Sequence, residues 1–356
     1  MADRITIQDI ADALGVSRNT VSKAINNTGI LADATREKVL KKAMEMGYKQ
    51  FSYVTALDAL KQETETIKTA PGKEIALLTT GFLGESHFSS TMLDHFQREL
   101  SQMGYSLSMH RILPEELKAG RLPSSFNTDR TSGILCFEMF DHAYSQMLCT
   151  LEIPLLFVDS PVIGMGTTLK ADCLYMDNQS GIFSFVREMV RRGKKRIGFI
   201  GEFLHCQSFF ERYMAFRNIM YLQGLPYSEE HCLIYNKEGV EFPSSDDYKD
   251  YLTQALGKLK DLPDVFICAN DFVAIDTISV LRKLGYSVPE DVYLCGFDDS
   301  PESKIITPAL TTIHIHSQIM GYAAVHLLIS RIEEPSLNYR SLYTETDLIY
   351  RESTEG

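Results

Sequence analysis

The sequence lacks several patterns that mark large protein classes. Its 356 residues contain no run of about 18 apolar residues, and the start Met-Ala-Asp-Arg carries no apolar segment of the kind that directs export. The phosphate-binding pattern G-x-x-x-x-G-K-[ST], the dinucleotide-binding pattern G-x-G-x-x-G, the zinc pattern H-E-x-x-H and the nucleophile pattern G-x-S-x-G are all missing. We therefore expect a cytoplasmic protein with no membrane partner, no enzymatic activity and no cofactor.

Cysteine is present but not in paired motifs. The number of cysteines is odd and no C-x-x-C pair occurs, which favours reduced thiols over a disulfide framework or a metal site. His314 and His316 form the nearest metal-like pair, yet no third ligand is evident and a structural role is the expectation. The seven cysteines are Cys136, Cys149, Cys173, Cys206, Cys232, Cys268 and Cys295.

Positive charge is scarce and unevenly distributed. The net charge is −12, but residues 1–50 hold eight basic and six acidic side chains, a net of +2, which leaves −14 on residues 51–356. Only the N-terminal segment is suited to approach a polyanion such as DNA. Because +2 is a weak electrostatic anchor, a dimer that applies two such segments together is favoured.

The N-terminal segment has the pattern of short helices around a tight turn. Thr6 followed by Asp9 is a capping-box pattern, and apolar residues then recur at helical spacing. Gly15 is suited to the positive φ that ends a helix and starts a turn. Ser17 is a candidate N-cap for a second helix that runs to about Ile25.

The second helix presents polar side chains to solvent. These groups are a guanidinium, an amide, a hydroxyl and an ammonium, which pair with base edges and phosphates in a major groove. A third amphipathic helix is predicted over 33–46. The arrangement is typical of a DNA-reading helix-turn-helix, although any small three-helix unit with a charged face shares the spacing. The solvent-facing residues are Arg18, Asn19, Ser22 and Lys23.

From Lys73 onward, apolar strands alternate with helices, and the alternation restarts near Gly181. Such alternation predicts parallel sheets covered by helices on both faces, here in two similar lobes. Ligands of these sheets bind outside the carboxyl ends of the strands, so a cleft between the lobes is the expected binding site. The predicted strands are 75–79, 132–137, 154–158, 196–200, 265–268 and 292–297.

Nearly the whole chain resembles the lactose/galactose repressor family of bacterial transcription factors. Besides the N-terminal helices, the resemblance rests on short pieces in family order: Met176-Asp-Asn178, the run at 191–201, Arg212, Ala269-Asn-Asp271, Val288-Pro-Glu-Asp-Val292, Gly296-Phe-Asp-Asp299 and Leu310-Thr-Thr-Ile313. The resemblance implies an N-terminal all-α helix-turn-helix headpiece and an α/β periplasmic-binding-protein-like body of two doubly wound parallel-sheet lobes.

The domain boundaries are also implied by the resemblance. The headpiece would occupy residues 1–50 and a hinge or linker 51–72. The N-terminal lobe would hold 73–174 and 315–336, and the C-terminal lobe 175–314 and 337–356. The chain would cross between the lobes near 175, 314 and 337.

The resemblance further implies which residues bind. The DNA-contacting positions would be Thr6, Ser17, Arg18, Asn19, Thr20, Ser22, Lys23, Asn26, Tyr48 and Leu57. The effector-contacting positions would be Thr80, Asp159, Ser208, Arg212, Asn270 and Asp298, with Phe209, Phe210 and Phe272 as candidates for the apolar face of the ligand. The alternative is structural: Arg212 could pair with a carboxylate between helices, and Asp298 could cap the following turn.

Two departures from the family pattern concern DNA binding. Lys23 stands where many members have arginine, which removes a bidentate fork to guanine and predicts a different operator preference. The segment Val54-Thr-Ala-Leu57 replaces the usual Ala-Arg-x-Leu of a hinge helix. Leu57 keeps the position of the leucine that wedges into the minor groove, but the missing arginine leaves the hinge mechanism open.

The sequence therefore predicts a homodimeric transcriptional regulator, a repressor by family default, that binds a pseudo-palindromic double-stranded DNA operator. No leucine heptads follow the last expected strand, which favours a dimer over a tetramer. A small-molecule effector would control the operator affinity, and a sugar or sugar derivative is the preferred expectation for it. The alternatives are a nucleoside or purine ligand and a protein co-regulator.

Overall fold

The computed structural model describes residues 5–25, 73–81, 87–163, 168–234 and 246–355, together with residues 35, 38, 39, 41–43 and 46; side chains are described from residue 90 onward in the helix that begins at 87. The predicted DNA contacts Asn26, Tyr48 and Leu57 lie outside these residues, as does the linker 51–72. Within the described part of the chain, no helix is both long and apolar enough to cross a membrane.

The headpiece contains helices α1 (Ile7–Leu14) and α2 (Arg18–Ile25). Helix α1 begins at the predicted capping box, in which the Thr6 hydroxyl accepts from the backbone N–H of Asp9, and it ends at Gly15 with φ +65°. These local signals are confirmed. The buried residues of the headpiece core are Ile10, Ala11, Val21, Ala24, Ile25, Val39 and Ala43. Ile319 and Tyr322 of the body pack against this core.

The first lobe is built on a six-stranded parallel sheet. Its strands are β1 (Glu74–Thr79), β2 (Ser106–Arg111), β3 (Thr131–Phe137), β4 (Leu155–Val158), β5 (Asp172–Met176) and β11 (Ser341–Thr344), in the order β11-β5-β4-β3-β1-β2. The connecting helices are α3 (His87–Gln102), α4 (Pro114–Ala119) and α5 (His142–Leu148). The long helix α11 (Ser317–Glu333) packs along α3.

The second lobe has a four-stranded parallel sheet. Its strands are β6 (Ile197–Ile200), β7 (Cys232–Leu233), β8 (Val265–Cys268) and β9 (Tyr293–Cys295), in the order β7-β6-β8-β9. The helices are α6 (Ser180–Arg191), α7 (Gln207–Leu222), α8 (Asp246–Leu256), α9 (Asp271–Lys283) and α10 (Pro301–Ile305). Strands β10 (Thr312–Ile315) and β12 (Thr346–Ile349) form a separate antiparallel pair.

The hydrophobic residues of the inner strands are buried on both faces of each sheet. Strands β3 to β6 and β8 consist almost wholly of buried residues, as expected when helices cover both faces of a parallel sheet. Alternate side chains of one strand enter different core clusters: Leu135 packs in one and Ile134 in another. The doubly wound architecture predicted for the body is confirmed.

One boundary differs from the prediction. Residues 337–356 were assigned to the second lobe, but β11 pairs in parallel with β5 of the first lobe, with Ser341 opposite Cys173 and Thr344 opposite Met176. The ring of Tyr343 also stacks on Tyr175, with centroids 5.1 Å apart. The assignment was wrong because β11 is a half-exposed edge strand, whose residue pattern does not reveal the sheet that it joins.

Candidate DNA-binding surface and interlobe cleft

In the headpiece, the predicted DNA-contacting residues fall into two groups. Thr6 and Ser17 act as helix caps: the Ser17 hydroxyl accepts from the backbone N–H of Thr20 at 3.0 Å and lies 2.8 Å from the Thr20 hydroxyl. The second group lies along α2, where Arg18 and Asn19 are exposed and Ser22 and Lys23 are half-buried. Helix α2 therefore offers charged and amide groups outward while its apolar side packs on α1.

In the body, the predicted effector residues lie at the carboxyl ends of strands or on the helix that faces them. Thr80 follows β1, Asp159 follows β4, Asn270 follows β8, and Asp298 follows β9 closely. Asp159 and Asp298 have positive φ values of +58° and +112°, which few residues other than glycine, asparagine and aspartate adopt. Both carboxylates thus sit on sharp turns at the edges of their sheets.

Arg212 is the centre of the second-lobe part of the cleft. Its side chain is only 3% exposed. The guanidinium Nε donates to Oδ1 of Asn178 at 2.9 Å, and Nη1 donates to the carbonyl of Ala269 at 2.7 Å. The guanidinium also lies 3.5 Å from the centroid of the Phe297 ring. These contacts fix the arginine head in one orientation at the strand ends.

Two carboxylates from different lobes interact electrostatically with this arginine. Asp298 Oδ1 lies 3.6 Å from Nη1 of Arg212. Burial raises the pKa of Asp298; the positive charge of Arg212 opposes this shift and the negative charge of Asp159 adds to it. Burial likewise raises the pKa of Asp159, against hydrogen bonds from Ser160, Cys206 and Ser208. The cleft therefore concentrates hydrogen-bond acceptors around the buried guanidinium of Arg212.

Direct hydrogen bonds join the two lobes beside these residues. Oδ1 of Asp159 accepts from the backbone N–H of Ser208 at 3.2 Å. The backbone N–H of Gln207 donates to the carbonyl of Ser160 at 2.9 Å, and Gln207 Oε1 accepts from the backbone N–H of Ile163 at 2.9 Å. The start of α7 is thus held against the loop that follows β4, and the lobes are closed at this side of the cleft.

The other predicted effector residues have mixed roles. The Asn270 side chain caps α9 by accepting from the backbone N–H of Val273 at 3.0 Å, and the Thr80 hydroxyl donates to the carbonyl of Glu138 at 3.0 Å. Ser208 is buried and its hydroxyl lies 3.2 Å from Sδ of Met176. These three side chains stand at the cleft edge but are engaged within the protein.

The aromatic residues proposed for the ligand's apolar face do not lie together. Phe209 is buried, and its ring lies 5.5 Å from the Arg212 guanidinium and 5.2 Å from the His205 ring. His205 in turn contacts Phe140 of the first lobe, with centroids 5.0 Å apart. Phe210 stacks on Phe203 instead. An aromatic cluster thus borders the cleft from both lobes.

Sequence reasoning missed several residues of the site. Asn178 was quoted only as part of a motif, and Phe297 was not singled out, although both touch Arg212. Asp271 was also missed: its buried carboxylate accepts from the Thr312 hydroxyl at 2.6 Å and from the backbone N–H of Ser300 at 2.7 Å. Burial and then the charge of Asp298 raise the pKa of Asp271. Their positions in strand-end motifs were the available signal.

The histidine pair is built into the crossing strands. The rings of His314 and His316 lie 4.8 Å apart, edge to face. Nδ1 of His314 lies 2.9 Å from Asp299, whereas Nε2 of His316 lies 3.1 Å from Asp347. The two imidazoles therefore face different carboxylates, and no group of three or more potential metal ligands occurs among the residues with described positions.

Comparison with known proteins accounts for both parts of the chain. Residues 6–50 match the model of the lacI family of bacterial regulatory proteins, and residues 186–354 match that of the periplasmic binding protein-like domain. The HTH-type transcriptional repressor PurR of Haemophilus influenzae strain Rd is 28% identical over 361 residues, covering 99% of each chain. The PurR of Mannheimia succiniciproducens is 26% identical over 352 residues, covering 98% of each.

Solved structures show the same fold over nearly the full length. A complex of the transcriptional regulator CelR with cellobiose has a TM-score of 0.67 at 24% identity, covering 98% of this chain and 100% of that one. The lac repressor dimer bound to operator and the anti-inducer ONPF has a TM-score of 0.65 at 20% identity, covering 99% and 100%. The chain belongs to the lacI family of bacterial regulatory proteins, as a DNA-binding transcriptional regulator with a periplasmic-binding-protein-like body.

Proposed function

We propose that this protein is a cytoplasmic transcriptional repressor that binds a pseudo-palindromic operator as a homodimer. In this proposal a small molecule held between the lobes controls its operator affinity, and the protein acts by binding alone, without catalysis. The repressor function is supported by the PurR relatives, which match this chain end to end, and by the polar outer side of α2. Dimeric binding agrees with the weak charge of one headpiece.

The observation that carries the effector site is the meeting of the two lobes at Arg212. A first-lobe acid, Asp159, and a second-lobe acid, Asp298, both act on this buried guanidinium. A ligand that bridges these groups would favour one relative position of the lobes over another. Differential binding of that kind is what links an effector to the affinity for DNA.

We propose a purine base or nucleoside as the effector, in preference to the sugar expected first from the sequence. The name PurR shared by the relatives supports this class. The chemistry of the cleft is compatible with it, because carboxylates accept from ring and exocyclic N–H groups and Phe209 supplies an aromatic surface. A carbohydrate would use the same acceptors through its hydroxyl groups, so the two classes need a direct test.

The test is a thermal-shift screen of the full chain against purine bases, nucleosides, sugars and sugar phosphates. A ligand that binds the native state stabilises it by mass action and so raises the melting temperature. At a hundredfold excess over Kd, the free energy of unfolding increases by about 2.7 kcal/mol. Hits are repeated on Asp298→Asn, with exposed Asp261→Asn as the matched control. A purine hit that weakens only in Asp298→Asn supports the proposal, and a sugar hit with the same behaviour overturns the ligand class.

The link to DNA is tested with an operator selected from a random duplex library. Fluorescence anisotropy then measures operator affinity with and without the hit. An effector shifts that affinity in either direction, whereas a hit without any effect on it contradicts control from the cleft. A blank screen together with tight operator binding would favour a protein co-regulator instead.

A further inference from the structure

A chain of hydrogen bonds connects an edge strand of the first lobe to Arg212 of the second. It passes from Tyr343 to Glu211, from Glu211 to Asn178, and from Asn178 to the guanidinium. Tyr343 and Glu211 are not among the residues expected to meet the effector. They form the less buried part of this series of hydrogen bonds, since Asn178 and Arg212 are buried.

Tyr343 is held in place by the first lobe. It lies on β11, and its ring stacks on Tyr175 at 5.1 Å. The Tyr175 hydroxyl lies 2.8 Å from the hydroxyl of Ser160, next to Asp159. The Tyr343 hydroxyl donates to Oε1 of Glu211 at 2.8 Å. This bond therefore reports the position of the first-lobe sheet relative to helix α7.

Glu211 collects three donors on its two carboxylate oxygens. Besides Tyr343, Oε1 accepts from Nε2 of Gln207 at 2.9 Å, and Oε2 accepts from Nδ2 of Asn178 at 2.7 Å. Gln207 itself accepts from the first-lobe backbone at Ile163. Both oxygens of Glu211 must therefore be acceptors, a condition that a carboxylate meets and a glutamine amide does not.

The carboxylate decides which way the Asn178 amide points. Because Nδ2 of Asn178 donates to Glu211, its Oδ1 faces Arg212 and accepts from Nε. With Nη1 bonded to the carbonyl of Ala269, the guanidinium plane has two fixed points. A flipped amide would set two donors against each other, so the orientation of Arg212 depends on Glu211.

We propose that Glu211 is a positioning residue for Arg212 and that Tyr343 and Glu211 form a latch closed only when the lobes are closed. Opening of the lobes separates Tyr343 from α7, loosens Glu211 and Asn178, and releases the arginine from its ligand-ready orientation. The part of this inference that concerns ligand affinity rests on the proposed effector function. The latch itself is a property of the protein without ligand.

The test uses the ligand-free full chain and compares Tyr343→Phe, Glu211→Gln and Glu211→Ala. Tyr221→Phe is the matched control, because Tyr221 lies on the same helix α7 and is 86% exposed. Hydrogen exchange is measured at the amides that close the cleft, those of Ile163, Gln207 and Ser208. In parallel, the Nε–H resonance of Arg212, assigned with Arg212→Lys, reports the bond to Asn178.

Loss of one hydrogen bond to a charged group at a partly exposed site should accelerate exchange of the three cleft amides about three- to tenfold in Tyr343→Phe. The core strands should keep their rates. Glu211→Ala and Glu211→Gln should in addition accelerate exchange of the Arg212 Nε–H more than Tyr343→Phe does, because Tyr343→Phe keeps the Glu211–Asn178 hydrogen bond while the lobes are closed. A uniform change over the body would indicate a merely structural tie and overturn the proposal.

Unchanged cleft amides in Tyr343→Phe would also overturn the latch, even if Glu211→Ala failed to fold. These results do not depend on the effector. If the latch behaves as proposed while every purine and sugar fails to bind, the proposed effector function fails alone. If a ligand binds and the latch variants change neither exchange nor its affinity, the latch fails alone.

Discussion

The headpiece and the interlobe cleft are both recognition surfaces, but they are built in opposite ways. In α2, Arg18 and Asn19 are exposed, and the helix holds its recognition groups outward on a small apolar core. In the cleft, Arg212 and Ser208 are buried and already engaged with protein groups. The headpiece is suited to a large rigid polyanion, whereas the cleft must reorganise around a small ligand.

The difference predicts how mutations act. A side chain on the headpiece surface can be removed with little effect on folding, because few partners lose a hydrogen bond. Removal of a cleft side chain leaves buried donors or acceptors unpaired, so binding and stability change together. Variants of the two regions should therefore separate into those that affect affinity alone and those that affect both.

The largest effect is expected for Arg212→Ala. The change leaves Oδ1 of Asn178 and the carbonyl of Ala269 without their donor and removes the cation above Phe297. We expect the free energy of unfolding of the body to fall by about 3–5 kcal/mol, as for other broken buried charge interactions, and effector binding to disappear. Urea unfolding and the thermal-shift screen measure the two quantities. Exposed Arg217→Ala on the same helix is the control, and equal losses in both variants would refute the central role of Arg212.

A smaller effect, confined to DNA, is expected for Lys23→Ala. Removal of this ammonium should weaken operator binding by about 1–3 kcal/mol if it contacts a base, and should reduce the salt slope by about one if it contacts a phosphate. The melting temperature of the body should not change. Anisotropy titrations over a salt series measure both effects, with exposed Lys258→Ala in the body as the control. Wild-type affinity and base preference in Lys23→Ala would exclude this residue from the DNA interface.

The acids of the cleft should make stability depend on pH. Since burial raises the folded-state pKa of Asp298 above its ordinary value of 3.8, the unfolded chain loses this proton first as pH rises. The unfolding free energy therefore falls with pH from 3.8 up to the folded pKa. Asp298→Asn removes this component, so its stability relative to the wild type should increase with pH, by an amount on the order of 1 kcal/mol. Urea midpoints from pH 4.5 to 7.5 test this, and a pH-independent difference would contradict the raised pKa.

The same contrast explains what could be predicted from the sequence. In the headpiece the decisive signals are local: Thr6 and Asp9 start α1, Gly15 ends it, and the structure has both features. In the body, the apolar runs predict the strands and hence the edge of the sheet at which ligands bind. The start of helix α7 has no comparable local signal, because its N-cap residue Cys206 makes no side-chain capping hydrogen bond.

The contacts inside the cleft depend on residues distant in sequence. Asn178 and Arg212 are 34 positions apart, and Glu211 and Tyr343 are 132 apart. No spacing rule connects such residues. The resemblance could suggest Arg212 and Asp298, but the bonding of Glu211 depends on the placement of β11, which was predicted for the second lobe and pairs with the first. Strand partners of a half-exposed edge strand are fixed by tertiary packing.

The smallest effect is expected for Thr6→Ala. This variant tests whether the headpiece and the body open independently of each other. The Thr6 hydroxyl caps α1 by accepting from the Asp9 N–H, and the Asp9 carboxylate accepts from the Thr6 N–H at 2.7 Å. Loss of such a cap costs about 1 kcal/mol. Hydrogen exchange in α1 should accelerate about fivefold while the body strands keep their rates, and Thr6→Ser should restore most of the protection. Equal acceleration in the body would mean that the contact of Ile319 and Tyr322 with the headpiece core couples the two regions into one cooperative unit, so that operator and effector surfaces share their stability.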